Sequence, residues 1–82
     1  MTLQHKFERV ATSCKRLAIS KSTFYSRIQD GYFPPLIQIG QRSVATLEHE
    51  TTEIISAIAA GANQNEMKAL VASLVEKRKE LS

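Results

Sequence analysis

Two adjacent prolines, Pro34-Pro35, interrupt a chain of 82 residues whose apolar side chains otherwise recur mostly at helical spacing. Neither proline can donate a helical N–H, and each biases the residue before it toward extended geometry. No helix continues through this point, and the backbone must change character at Tyr32-Phe33-Pro34-Pro35. Beyond that point Leu36-Ile37-Gln38-Ile39 reads as a strand, Gly40-Gln41 as a turn, and Arg42 to Thr46 as the returning strand. Two short strands are not stable in isolation, so the hairpin must pack on helices as a small wing.

The helices lie on both sides of this hairpin. Leu3, Phe7, Val10, Cys14 and Leu17 recur at steps of four and three, one face of a helix that starts between Leu3 and Val10 and runs to about Leu17. Ser20 offers an N-cap oxygen for a second helix over Lys21 to Asp30, with Phe24 and Ile28 on its apolar side and Gly31 suited to its left-handed end. The short connection Ala18-Ile19-Ser20 makes this pair a helix–turn–helix. A third helix begins near Leu47 or Glu48, carries Glu48, Glu50 and Glu53 in its first turns, and closes at Gly61. Leu47, Ile54, Ile55 and Ile58 supply its apolar side. Asn63 and Glu66 have capping-box spacing for a last helix, whose stripe of Met67, Leu70, Val71, Leu74 and Val75 ends near Leu81.

The expected architecture is mostly α with a small β-hairpin: a winged helix–turn–helix over residues 1–61 plus an additional C-terminal helix over 62–82. The last helix either packs on the domain or makes a homodimer contact through residues 64–81, because its stripe spans barely two heptads and is too short for a long coiled coil. Lys77-Arg78-Lys79 complement the negative end of its dipole.

Several classes of function drop out. His5 and His49 lie far apart in sequence and Cys14 sits on an apolar stripe, so no spacing suggests a metal site. No serine or threonine is paired with a base and an orienting acid, and no glycine-rich loop could cradle a phosphate. The expectation is no catalytic residue, no cofactor and no metal. No run approaches the apolar length of a membrane span, and the start MTLQHKFERV lacks a signal-peptide core, so no membrane partner is expected. A single cysteine, Cys14, suits a reducing cytosol.

The net charge of +3 is unevenly placed. Six cations against Glu8 and Asp30 make residues 1–33 carry +4, whereas five cations against six glutamates leave residues 34–82 at −1. Such asymmetry fits an electrostatic footprint for phosphate on one part of the fold. A helix that reads duplex DNA needs one face of donors and acceptors and another anchored in a core. Ser20 to Gln29 meets both demands: Phe24 and Ile28 face inward, and the polar faces carry no acid before Asp30.

Three separated motifs add a family resemblance. Ala18-Ile19-Ser20-Lys21-Ser22-Thr23-Phe24-Tyr25, Asp30-Gly31-Tyr32-Phe33-Pro34-Pro35 and Ile39-Gly40-Gln41-Arg42-Ser43-Val44 resemble, in order and spacing, the AlpA-type phage and prophage regulators. These are relatives of the excisionase and MerR-like winged-helix proteins, with a pattern of roughly G-L-S-R-S-T-I-Y, G-x-F-P-x-P and L-G-x-R-x-V. The likeness covers about residues 10–60. Ala18 stands where the pattern has glycine, Ala11 where a proline is common, Ser26 where arginine is frequent, with Arg27 beside it, and Thr46 where a large aromatic usually ends the wing. Pro35 follows Pro34 directly, one position earlier than the pattern's second proline.

The resemblance implies sequence-specific binding of double-stranded DNA and regulation of transcription in a phage or integrated mobile element, within the bacterial nucleoid. It names Ser20, Lys21, Ser22, Thr23, Tyr25, Ser26, Arg27 and Gln29 as DNA-facing, with Arg42 at the wing tip. Ser20, Lys21 and Ser22 would hold phosphate, with the Tyr25 hydroxyl able to do the same; Thr23, Ser26 and Gln29 would meet base edges. Arg27 flanks the backbone or turns its stem inward, and Arg42 reaches a phosphate or a narrow minor groove. The alternative roles are a cap for Ser20, packing for Tyr25 and a solvated turn for Arg42. A second functional class is a recombination directionality factor, or an interaction module that recruits an integrase or the transcription machinery through the last helix.

Overall fold

The ends of the helices set the frame. The computed structural model describes residues 5–81. Helix α1 spans Val10–Leu17, α2 Lys21–Asp30, α3 Glu48–Ala59 and α4 Gln64–Arg78, followed by a single 3-10 turn at Lys79–Leu81. The first three helices are closed by the same device, in which a residue with positive φ follows the last turn and two successive N–H groups reach back to free carbonyls. After α1 the residue is Ala18 (φ 58), with Ala18 N–H on the Lys15 carbonyl at 3.2 Å and Ile19 N–H on that of Cys14 at 3.0 Å. Gly31 (φ 86) and Gly61 (φ 84) do the same after α2 and α3.

Ala18 is the exception in residue type. An L side chain in left-handed geometry is penalised by about 1–2 kcal/mol, against a loss of about 0.5–1 kcal/mol for the extra freedom of glycine. Ala18→Gly is therefore expected to stabilise the fold, by about 1 kcal/mol. In urea titration the midpoint should rise at constant m-value; a fall would show that the turn holds no strain at this residue.

Helix α1 starts at Val10, the late end of the expected range, because the residues before it form a strand. Strand β1 (Phe7–Glu8) pairs antiparallel with β3 (Val44–Leu47), with Phe7 opposite Leu47 and Glu8 opposite Thr46. Strand β2 (Ile37–Gln38) pairs with the same strand from the other side, with Ile37 opposite Ala45 and Gln38 opposite Val44. The expected hairpin is thus part of a three-stranded sheet in the order β1-β3-β2. Phe7, expected on the apolar face of a helix, is more than half exposed on the edge strand. Leu3, expected on the same face, lies outside the described residues.

One core unites all four helices. Val10 and Cys14 of α1, Phe24 of α2, Phe33 of the proline segment, Ile54 of α3, and Met67, Val71 and Leu74 of α4 form a single buried cluster. Phe24 and Phe33 meet edge to face with ring centroids 4.8 Å apart, which locks α2 to the segment that leads into the wing. The stripe of α4 is therefore spent on its own chain. Its start is set by a complete capping box: the Asn63 side chain accepts from Glu66 N–H at 2.8 Å, and Glu66 accepts from Asn63 N–H at 2.9 Å.

Beside the apolar core runs a buried polar seam that joins β1, α1 and β3. The hydroxyl of Ser13, fully buried, donates to Glu8 Oε1 at 2.6 Å, and the other carboxylate oxygen of Glu8 accepts from Arg16. Thr46 Oγ1 lies 2.7 Å from Ser13 Oγ and 3.2 Å from the Glu8 carbonyl. Since the carboxylate is the stronger acceptor for the single Ser13 proton, the one Thr46 proton is shared between Ser13 Oγ and the Glu8 carbonyl. In place of the large aromatic that the resemblance implied, Thr46 supports the wing through this hydrogen-bond network.

The C-terminal cations divide. Lys77 and Lys79 are exposed at the end of α4, but Arg78 is not a dipole partner alone. Its guanidinium makes a two-pronged pair with Glu50, whose side chain is 1% exposed. Glu50, expected as a helix-start acid, is a buried anion that α4 neutralises.

Candidate nucleic-acid interface

Helix α2 presents its polar side to solvent because its apolar side is fixed twice, by Phe24 in the core and by Ile28 packed against it. Ser22, Tyr25, Ser26 and Gln29 are spaced i, i+3, i+4 and i+7, which places them on one stripe. All four are exposed, and this stripe carries no acid. Lys21 and Thr23 are exposed on the flanks, Arg27 is half-buried, and Asp30 is confined to the last turn.

The two ends of the helix behave differently. At the N-terminus Ser20 Oγ accepts from Thr23 N–H at 3.2 Å and donates to Thr23 Oγ1 at 3.0 Å. Ser20 is thus a working cap, and Thr23 is held in that cap as well as exposed. The first-turn N–H groups that have no partner within the helix lie at the positive end of its dipole. Tyr25 packs as the alternative reading expected and is still accessible: its ring meets Phe24 edge-on at 5.8 Å, while the residue stays 46% exposed.

Arg42 stands apart from α2, in the exposed turn between β2 and β3, where Ile39 N–H bonds to the Ser43 carbonyl at 2.9 Å and holds the loop closed. The basic residues of the amino-terminal half also separate. Arg16 is committed to Glu8 and to Thr52 Oγ1 at 2.5 Å, whereas Lys6, Arg9 and Lys15 are exposed and form no ion pair among the described residues. A charge count treats these four alike; only the position of the buried Glu8 distinguishes them.

The residues considered for other chemistry are placed as follows. Cys14 is buried in the core. His5 and His49, far apart in sequence, meet edge to face with centroids 4.9 Å apart, because β1 is brought alongside the start of α3. Among the described residues no group of three or more His, Cys, Asp or Glu side chains is arranged to hold a metal ion. A shallow depression of about 170 Å³ between α1 and α3 is lined by Leu17, Ile55, Ile58, Ala59 and Arg16, an apolar surface without a nucleophile or an acid–base pair. No helix among the described residues is long and apolar enough to cross a membrane.

Residues 6–57, from β1 through most of α3, match the family model described as the prophage CP4-57 regulatory protein, AlpA. The chain belongs to the AlpA family. It is also similar to the uncharacterized protein ORF88 of Enterobacteria phage P4, with 36% identity over 58 residues, or 71% of this chain. That match spans 66% of the phage protein, just under two thirds of its length. No solved structure matches the chain. The AlpA segment contains α2 and the wing, and α4 lies wholly outside it.

Proposed function

We propose that the protein binds double-stranded DNA sequence-specifically and regulates transcription of a phage or integrated mobile element, acting on the nucleoid of a bacterial host. The acid-free stripe Ser22, Tyr25, Ser26 and Gln29 on a core-anchored helix carries this reading. Its membership of a regulatory family and the free cations Lys6, Arg9, Lys15, Lys21 and Arg42 support it.

In this reading α2 enters the major groove. Lys21 neutralises a phosphate, Ser20, Ser22 and the amides of the first turn hydrogen-bond to phosphate oxygens, Ser26 and Gln29 meet base edges, and Tyr25 braces the backbone with its hydroxyl. Thr23 touches the groove wall from within the cap, Arg27 lies along its edge, and Arg42 adds a phosphate or minor-groove contact from the wing.

The test begins with duplexes selected by the protein from a random-sequence library, followed by titration at several salt concentrations. Log affinity should fall linearly with log salt, with a slope of about −0.9 for each phosphate neutralised. Lys21→Ala and Arg42→Ala should each weaken every duplex alike and flatten the slope by about one. Gln29→Ala should instead change which duplexes are preferred. Failure to enrich any sequence, or an affinity indifferent to salt, would sink the reading.

Recruitment of an integrase through the apolar stripe of the last helix gains no support from the packing, since Met67, Val71 and Leu74 face the core. Excision-factor activity remains compatible with the same DNA contacts, and loss of element excision in a Gln29→Ala strain would reveal it.

A further inference from the structure

Helix α4 lies outside the AlpA segment, yet one of its side chains holds both feet of the wing. Arg78 Nε donates to Glu50 Oε2 at 2.8 Å, and one terminal nitrogen donates to Glu50 Oε1 at 2.5 Å. That terminal nitrogen also donates to the Pro35 carbonyl at 2.9 Å. Pro35 lies two residues before β2, and Glu50 three residues after β3. The hairpin therefore leaves and re-enters the body of the protein at the same guanidinium.

We propose that Arg78 is a positioning residue for the wing: by bridging the Pro35 carbonyl to the buried Glu50 carboxylate, it fixes the angle at which Arg42 is presented to DNA. The inference rests on the DNA-binding reading and adds a role for the last helix within it. Its physical basis is the planar fork of arginine, which can satisfy a carboxylate through two nitrogens while a further N–H reaches a third acceptor. An ammonium in the same place has no such fixed geometry. The β2–β3 ladder holds the two strands to each other, with Ile37 opposite Ala45, whereas Arg78 ties both of their feet to α4. Phe33 and Pro34 anchor the segment before β2, and the Thr46–Ser13 bond anchors β3, but neither joins the two feet to each other.

The test is a double-mutant cycle on the intact chain, with Arg78→Lys and Arg42→Ala, singly and together, titrated with one selected duplex where all four proteins are folded by circular dichroism. Arg78→Lys should weaken binding, and Arg42→Ala should then add little, giving a non-additivity of at least about threefold in affinity. Without DNA, amide exchange at Ile39 in the wing should quicken at least about threefold in Arg78→Lys, while that of Phe24 in α2 is unchanged. If Arg78→Lys fails to fold, Glu50→Gln replaces it and should show the same coupling, since it removes the charge that fixes the fork.

Additive losses, with equal exchange at Ile39, would overturn the positioning role even if the melting temperature fell. A wild-type chain that binds no DNA would remove the DNA-binding reading and this role together. An Arg42→Ala protein that binds as the wild type does would remove the wing contact on which the role depends.

Discussion

A chain ending at Gly61 is expected not to fold cooperatively, although it retains the whole segment that matches the AlpA family. Deleting α4 takes Met67, Val71 and Leu74, each less than a tenth exposed, out of the common core. Burial of such side chains contributes about 1.5–3 kcal/mol apiece. The deletion also strands Glu50, whose side chain is 1% exposed, without Arg78, and removing one partner of a buried ion pair costs about 3–5 kcal/mol. Together these amount to about 8–14 kcal/mol. A domain of this size has a total stability of only about 4–12 kcal/mol. Circular dichroism should show reduced helix content and no cooperative melt. A sharp transition in the truncated chain would mean that residues 1–61 form a self-sufficient unit and that α4 is an addition to it.

Phe24→Ala is expected to have the next largest effect. Phe24 is fully buried, touches Phe33 edge to face, and is the main anchor of α2. Truncation of a core phenylalanine costs about 3–5 kcal/mol. For a domain of 60–100 residues each kcal/mol moves the melting point by about 4–8 °C, so a fall of more than about 12 °C is expected. Phe24→Leu fills most of the volume and should cost less than about 1.5 kcal/mol, apart from the lost ring pair. The two variants separate anchoring from chemistry, because neither touches the exposed stripe of α2. In the proposed function, Phe24→Leu should keep its selected DNA sequence with affinity close to wild type, and Phe24→Ala should lose affinity for every sequence in proportion to its unfolded fraction. A stable Phe24→Ala protein with unchanged melting would contradict the packing of α2 on the proline segment.

Most of the helical frame was legible in the order of residues. Ser20, Gly31, Gly61 and the pair Asn63 and Glu66 act within four or five residues of their own positions, and all stand where the spacing placed them. Pro34-Pro35 ended the helical region as expected, and the stripe Met67, Leu70, Val71, Leu74 and Val75 proved to be buried or half-buried. The stretch of α2 from Lys21 to Gln29 was equally legible, since the inward positions of Phe24 and Ile28 dictate which neighbours face out.

What could not be read there depends on partners distant in sequence. Phe7-Glu8 is too short to signal a strand, and it becomes one only because Thr46 and Leu47 lie opposite it. The helical spacing of Phe7 with Val10 was a coincidence that this pairing overrides. Arg16 and Arg78 looked like any other surface cations, and His5 and His49 like unrelated residues, until the fold set each beside its partner. Local chemistry determined where helices start and stop and which face of α2 is polar, because caps, turns and side-chain periodicity act over a few residues. Tertiary packing decided which charges remain free for a partner and which are consumed within, because a buried carboxylate draws in whichever guanidinium the fold brings near.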